Sequence, residues 1–369
     1  MDTFLNFDFY GAGNIGDDLM LDGFINHFQS GSGKIFCTIP RDSSCQNFRF
    51  PAVDFIEKSK RYIVANSCPV WIGVGDTPVQ TKSGDWFLMK LERDVENLSM
   101  TDSKWFMLGV GAEEEAVSRK ERYSKVLSHA HRVWTRDEHS RDVLVNSFGM
   151  EPSKVSASAD LANVSLFTMF GNAGNSEIRK FSLGLCYYDE KSDDESIENI
   201  RKFFRNISAQ KKRSVFFAND VNDKGMFERE LYGKIISPGM RIFPGKTRFF
   251  APDYFSNTPL KELVGHYSDY ETVMTSRYHA LLTAAWAGCR VISLERSSKV
   301  TALSKVLGIT EVKKPYGPDE LTDAFESAKQ VDRKILNSMY RKALESINEL
   351  EEAVTDPDLH NSTTSREEL

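Results

Sequence analysis

Short apolar runs alternate with amphipathic segments along the whole chain, and this alternation predicts parallel β/α units. Phe4 to Tyr10 reads as a first strand. A glycine turn follows, then Leu21, Phe24, Ile25 and Phe28 at helical spacing. Ile35 to Ile39 reads as the second strand, and "VWIGVGD" (70–76) and "WFMLGVGAE" (105–113) as apolar strands ending in glycine-rich turns. "RVWTRDEHSRDVLVNSFG" (132–149) predicts a strand, a polar turn and a helix, with Val143, Leu144 and Phe148 inward and Gly149 as its stop. "VSASADLA" (155–162) adds a short strand and turn. The small polar stretch "FGNAGNSEIRK" (170–180) predicts a domain boundary. The pattern then restarts with "FSLGLCYYD" (181–189) and "RSVFFAND" (213–220). "YETVMTS" leads into "RYHALLTAAWAG", and "CRVISLE" into "RSSKVTALSKVLG". Val331 to Val354 reads as one long amphipathic helix. The expected layout is a first α/β domain over 1–172, a second over 173–330, a C-terminal helix over 331–355 and a disordered tail over 356–369.

Composition narrows the class. The 369 residues are 40% hydrophobic and 27% charged, enough for two cores. A net charge of −6 argues against nonspecific nucleic-acid binding, which wants a basic face. Cys37, Cys45, Cys68, Cys186 and Cys289 are scattered without a C-x-x-C pair, the pattern of free thiols in a reducing compartment. "MDTFLNFDFY" lacks the basic region of a signal peptide, and the apolar stretch Leu281 to Cys289 is too short to span a bilayer. A cytoplasmic protein is expected, with a peripheral contact at the cytoplasmic membrane face left open.

"FYGAGNIGDD" (9–18) spells G-x-G-x-x-G with Gly11, Gly13 and Gly16, the spacing of a dinucleotide-binding turn. Asp17 and Asp18 speak against that reading. Two carboxylates in a first helical turn suit the helix dipole, but they repel a pyrophosphate placed there. The second strand would have to supply an acid for the ribose, and Asp42, after Pro40 and Arg41, is an awkward match. The simplest reading of Asp17 and Asp18 is helix-terminal charge.

"TSRYHALLTAAWAGCRVISLERSSKV" (275–300) carries the most chemistry. Arg277 and His279 stand where a strand gives way to a helix, the place where open α/β sheets bind ligands. Tyr278, Leu281, Leu282 and Ala285 supply the buried face, and Gly288 ends the helix. Ser297 or Ser298 caps the next helix, flanked by Arg296 and Lys299. Two cationic clusters bracket one βα unit and suit a small dianion or trianion. The bland alternatives are a surface pair or cap for Arg277 and His279, and a local ion pair for Arg136 and Asp137. Ser140 reads as a turn or cap residue. His129, His131 and His139 lack metal-ligand spacing, and no G-x-S-x-G elbow supports serine hydrolysis.

Taken together, "GAGNIGDD", "WIGVGD" with "MLGVGAE", "VWTRDEHSRDVL" with "SADLA", and "SRYHALLTAAWAGCRVISL" resemble the polysaccharide pyruvyltransferases, over Phe4 to Leu307. The resemblance implies two Rossmann-like domains facing a cleft, glycosyltransferase-B-like, with the C-terminal helix crossing back. It implies an acceptor side in the first domain and a donor side in the second. Phosphoenolpyruvate is the implied donor. The acceptor is a saccharide or lipid-linked oligosaccharide, and the product a cyclic pyruvate ketal. Arg277 and His279 fall on the family's Arg-x-His motif, Arg136 on its Arg-Asp motif, and Asp17 and Asp18 on its N-terminal turn. Gly13 and Asn14 of that turn join the candidate binding set, and Arg296 and Lys299 join it on their charge. His279 is the candidate general acid or phosphate ligand, and Asp17 or Asp18 the candidate base. No cofactor or obligatory metal is expected. Two departures stand out: Gly73-Val74-Gly75-Asp76 replaces a triple-glycine turn, and the loops from Ser237 to Pro252 match nothing in the family pattern. Alternatives from other classes are a nucleotide-sugar glycosyltransferase of the same architecture and a non-catalytic α/β binding protein.

Overall fold

The computed structural model describes residues 1–29, 31, 33–39, 44–81, 84–171, 179–189, 193–221, 226–236 and 247–355. The first sheet contains β1 (Thr3–Leu5), β2 (Ile35–Thr38), β3 (Val53–Ile56), β4 (Val70–Val74), β5 (Lys104–Val110), β6 (Ala130–Thr135) and β7 (Val155–Ala157), in the order β3-β2-β1-β4-β5-β6-β7. The second contains β8 (Phe181–Cys186), β9 (Ser214–Phe217), β10 (Thr247–Phe250), β11 (Tyr270–Thr275), β12 (Arg290–Leu294) and β13 (Thr310–Val312), in the order β10-β9-β8-β11-β12-β13. Every pairing is parallel. Both are doubly wound Rossmann-like sheets, each reversing once, between β1 and β4 and between β8 and β11. Ligands of such sheets bind at the carboxyl ends beside that reversal. Strands covered on both faces read as unbroken apolar runs, and all five residues of β4 are buried.

The chain divides into two compact units. One comprises Met1–Ala12, Asp17–Ser165 and Ser338 onward; the other comprises Gly13–Gly16 and Leu166–Asn337. The first core is built around the fully buried Trp71, Trp105 and Trp134. The second holds Leu183, Leu185, Phe203, Phe204, Ile292 and Phe325.

Three sequence expectations shift. The first strand stops at Leu5, short of Tyr10, and beyond it Asp8 pairs with Arg61. The change of unit falls at Ser165–Leu166, ahead of the polar stretch. The helix Ala162–Phe170 carries it. Its Ser165 hydroxyl donates to the Leu19 carbonyl at 2.8 Å, whereas Phe167 packs edge-on against Trp286 at 5.8 Å. Four residues of the N-terminal turn, Gly13–Gly16, belong to the second unit. The long helix runs Arg333–Thr355. From Ser338 it belongs to the first unit, where Ser158 donates to the Lys342 carbonyl at 2.9 Å and Glu349 binds Arg132 at 2.7 Å. Asp42, residues 172–178 of the polar stretch, 237–246 of the unplaced loops and the tail 356–369 lie outside the described residues. No helix among the described residues is long and apolar enough to cross a membrane.

Candidate active site

In the first unit the glycine turn is filled by the protein itself. Gly11 has φ +77°, and a Cβ there would collide with Gln46. The Gln46 side-chain amide donates to the Gly11 carbonyl at 2.9 Å. The Gly11 amide donates to Asp18 Oδ1 at 2.7 Å. Asp18 is fully buried, with its other oxygen 3.6 Å from the equally buried Arg49 guanidinium. These contacts correct the assignment of Asp18 as a catalytic base: its oxygens hold the turn closed, out of reach of a substrate hydroxyl. Asp17, 8% exposed, stays as the candidate carboxylate of the turn. The Tyr10 hydroxyl donates to the Val74 carbonyl at 2.6 Å. Beside it Asp76 takes φ +60°, a left-handed conformation that favours glycine and that Asp tolerates better than most residues. Asp76 thus holds a conformation more often given to glycine.

Arg136 follows β6. Its backbone amide donates to the Val110 carbonyl at 2.9 Å, and its Nε lies 3.4 Å from Asp137. A Cβ on Gly111 would sit 2.3 Å from its Nη2, so glycine makes room for the guanidinium. Asp137 also accepts from the Ser140 amide at 2.7 Å and caps the helix Glu138–Asp142. The local ion pair expected as the bland reading is present. Arg136 is 4% exposed.

The second unit gathers most of the other candidates at the carboxyl end of its sheet. Arg277 follows β11 and precedes the helix Tyr278–Trp286. Its amide donates to Thr275 Oγ1 at 3.0 Å. Its Nε and Nη2 donate to Glu228 Oε1 at 3.1 and 2.8 Å, and its Nη1 reaches Asp220 Oδ2 at 3.4 Å. The guanidinium also stacks on the Tyr188 ring, 4.1 Å from its centroid. Arg296, after β12, stacks on the same ring at 4.4 Å. Tyr188 is fixed through its backbone: its amide donates to Ser276 Oγ at 2.9 Å, and its carbonyl accepts from that hydroxyl at 2.7 Å. The negative face of one ring thus attracts two cations and offsets their repulsion.

Burial pushes the Glu228 carboxyl up from its usual range, with Arg277 opposing, and its Oε2 is buried without a hydrogen-bond partner. Burial alone would lower the Arg277 pKa, but Glu228 and Asp220 reverse this and hold its charge firmly. Ser297 occupies the N-cap position of the helix Ser298–Leu307, yet its hydroxyl makes no capping bond and has no hydrogen-bond partner. That corrects the expected capping role of Ser297. Lys299 lies in the first turn of this helix, partly exposed. A recess of about 330 Å³ opens here, lined by Glu295, Arg296, Ser297, Ser298, Thr301, Lys313 and Lys314. Lys313 is held by Glu295 at 2.8 Å and Glu311 at 2.6 Å, and Lys314 pairs with Asp189.

Gly13 and Asn14 join this edge through backbone pairing. The Val221 amide donates to the Gly13 carbonyl at 2.8 Å, and the Ile15 amide to the Asn219 carbonyl at 3.3 Å, with Asn14 bridged to Asp220. Asn14 Oδ1 accepts from the Gly16 amide at 3.1 Å.

The polysaccharide pyruvyl transferase family model matches residues 14–298. The chain belongs to this family. That span runs from Asn14 to the first residue of the Ser298–Leu307 helix, so it takes in the bridged turn, Arg136, Arg277, His279 and Arg296. As a member of the family the protein is an enzyme, a pyruvyltransferase. No curated protein sequence matches the chain. Among solved structures it is similar to the UDP-GlcNAc 2-epimerase of Methanocaldococcus jannaschii in complex with UDP-GlcNAc and UDP: TM-score 0.63, 12% identity, 95% of this chain and 98% of that one. S. aureus MnaA in its UDP co-structure gives a TM-score of 0.62 at 10% identity over 96% and 97% of the two chains. Anabaena Alr3699/HepE in complex with UDP-glucose gives 0.58 at 11% identity over 95% and 98%. At such identities the likeness shows the fold, the glycosyltransferase-B-like pair of Rossmann-like domains.

Within the second unit the structure brings together Gly13, Asn14, Arg277, His279, Arg296 and Lys299; Asp17, Asp18 and Arg136 belong to the first unit. Sequence reasoning missed Glu228, Asp220 and Tyr188. Asp220 and Tyr188 lie just after β9 and β8, where a rule about strand ends finds them. Glu228 carries no such signal, since a glutamate on the Met226–Ile235 helix reads as a solvated side chain.

Proposed function

We propose that the protein transfers pyruvate from phosphoenolpyruvate to two hydroxyls of one sugar, on a polysaccharide or its lipid-linked precursor, to form a cyclic ketal. What supports this most is the pair of arginines stacked on Tyr188, one of them two residues before His279, at the reversal point of the second sheet. Phosphoenolpyruvate carries a carboxylate and a phosphate, and arginine binds both with a planar two-donor grip. Arg277 and Arg296 are assigned to these groups, with Lys299 beside them. The contact from Arg277 to Asp220 is long and Asp220 is partly exposed, so the donor's anionic oxygen replaces it while Glu228 keeps the guanidinium in place.

The chemistry follows from the enol phosphate. A proton adds to C3, and C2 becomes cation-like. One sugar hydroxyl oxygen bonds to C2, the C2–O bond to phosphate breaks, and inorganic phosphate leaves. The second hydroxyl bonds to C2 and closes the ketal. The two hydroxyl protons balance the one gained at C3 and the one carried off by phosphate. No oxidation level changes, so no redox cofactor is assigned. His279 is assigned the proton that starts or ends phosphate departure, and Asp17 the proton of an attacking hydroxyl.

The test is mass spectrometry of a saccharide panel incubated with phosphoenolpyruvate. Expected is an acceptor mass gain of one ketal-linked pyruvate, phosphate released one for one, and loss of the adduct on mild acid treatment. The structures of similar fold bind UDP-sugars, so UDP-glucose and UDP-GlcNAc are the control donors. A sugar or phosphate on the acceptor, with no pyruvate, would replace this reading with the nucleotide-sugar alternative.

A further inference from the structure

The three glycines of the N-terminal motif serve different needs. Gly11 and Gly13 take φ +77° and +113°, conformations that side chains rarely adopt. Gly16 is not in that class. It is the second residue of the helix Ile15–Ile25, where alanine would be the more favourable residue. What a Cβ at Gly16 would meet is His279: 1.9 Å from Nδ1, 2.3 Å from Cγ and 2.8 Å from Cβ. Turning the imidazole about χ1 moves the ring but leaves the Cβ contact, so an alanine is accommodated only by displacing His279 itself. Nor does the Gly16 segment lift away easily, because Gly13 and Ile15 are bonded to Val221 and Asn219. Tyr278 meets the imidazole edge-on, at 5.2 Å between ring centroids.

We propose that Gly16 is a positioning residue for His279: its bare Cα is the wall against which the imidazole is set, and the third glycine serves that contact, not a bound pyrophosphate. The inference rests on the catalytic assignment of His279 made above. It is tested with Gly16→Ala, His279→Gln and the double variant, reading kcat, the Kd of phosphoenolpyruvate and thermal melting. Gly16→Ala is expected to lower kcat at least about tenfold while donor Kd changes by less than about threefold. In the His279→Gln background it should cost almost nothing more, the signature of two residues acting as a unit. Wild-type turnover in Gly16→Ala, or an equal loss in both backgrounds, overturns the proposal. Full turnover in His279→Gln removes the catalytic assignment itself, and this role with it. Should Gly16→Ala fail to fold, combining it with His279→Gly empties the contact and is expected to restore a cooperative melt; failure to restore it also overturns the proposal.

Discussion

At the carboxyl end of the first sheet, Arg61 and Lys90 face Asp8 and Asp94, and Arg49 faces Asp18. At the carboxyl end of the second, Arg277 and Arg296 lie over one tyrosine ring, with Lys299 nearby on the first turn of a helix. The strand order around the reversal is the same, but the charge is used differently. Asp94 is fully buried and accepts from Arg61 at 2.9 and 3.0 Å, from Lys90 at 3.0 Å and from the Asn6 amide at 3.2 Å. Burial would raise its pKa, but Lys90 and Arg61 more than offset this and hold it below the usual range. Paired in this way, these charges stiffen the segment from Asn6 to Tyr10 and leave little field for an anion. In the second unit Arg296 and Lys299 keep partial exposure, as a site for a charged donor requires. Under the proposed function the anionic donor belongs to the second of these two arrangements.

The largest expected effect tests whether the first network is structural. Asp94→Asn removes the fully buried one of the two carboxylates that Arg61 and Lys90 share, leaving Asp8 alone against two largely buried cations, and is expected to cost about 3 kcal/mol in denaturant unfolding. Asp220→Asn in the second unit removes a 3.4 Å contact to a partly exposed carboxylate and is expected to cost under about 1 kcal/mol. Equal losses would erase the contrast.

A middle-sized effect separates the units by acid. His266 packs against Phe217, Phe250 and Tyr267, its Nε2 has no hydrogen-bond partner, and burial lowers its pKa to about 3. Its folded pKa lies below its unfolded value of 6.5, so the folded state binds fewer protons. Stability is then full above pH 6.5 and falls as pH drops toward 3, by at most about 1.4 kcal/mol per pH unit. Asp94, also lowered from its ordinary 3.8, begins to cost stability only below about that value. Calorimetric scans from neutral to mildly acidic pH should show a falling melting temperature that His266→Phe flattens. A parallel decline in both proteins would show that another group titrates.

How much of this was legible in the sequence depends on the kind of residue. Apolar runs such as those of β4 and β5 mark buried parallel strands, because both of their faces are covered. Arg277 and His279 are legible because a strand-to-helix junction is a general ligand position. Asp18 misled for a physical reason: a carboxylate beside a glycine turn looks exposed until Arg49, from the helix Ser44–Arg49, is seen to bury it. Gly16 looked like part of a phosphate-binding spacing, and its contact with His279 spans 263 positions of the chain, which no local pattern encodes. Glu228 is invisible for the same reason, since its meaning comes only from Arg277.

The most direct test is calorimetric titration of phosphoenolpyruvate into the wild-type protein and into Arg277→Ala, Arg296→Ala and Arg136→Ala. A charge-assisted hydrogen bond contributes about 1.5–3 kcal/mol, so each variant in the second unit is expected to weaken binding by about tenfold or more, while Arg136→Ala changes it less. Absence of saturable binding to the wild type, or binding lost in Arg136→Ala and kept in both second-unit variants, would contradict the assignment of the donor to the second unit.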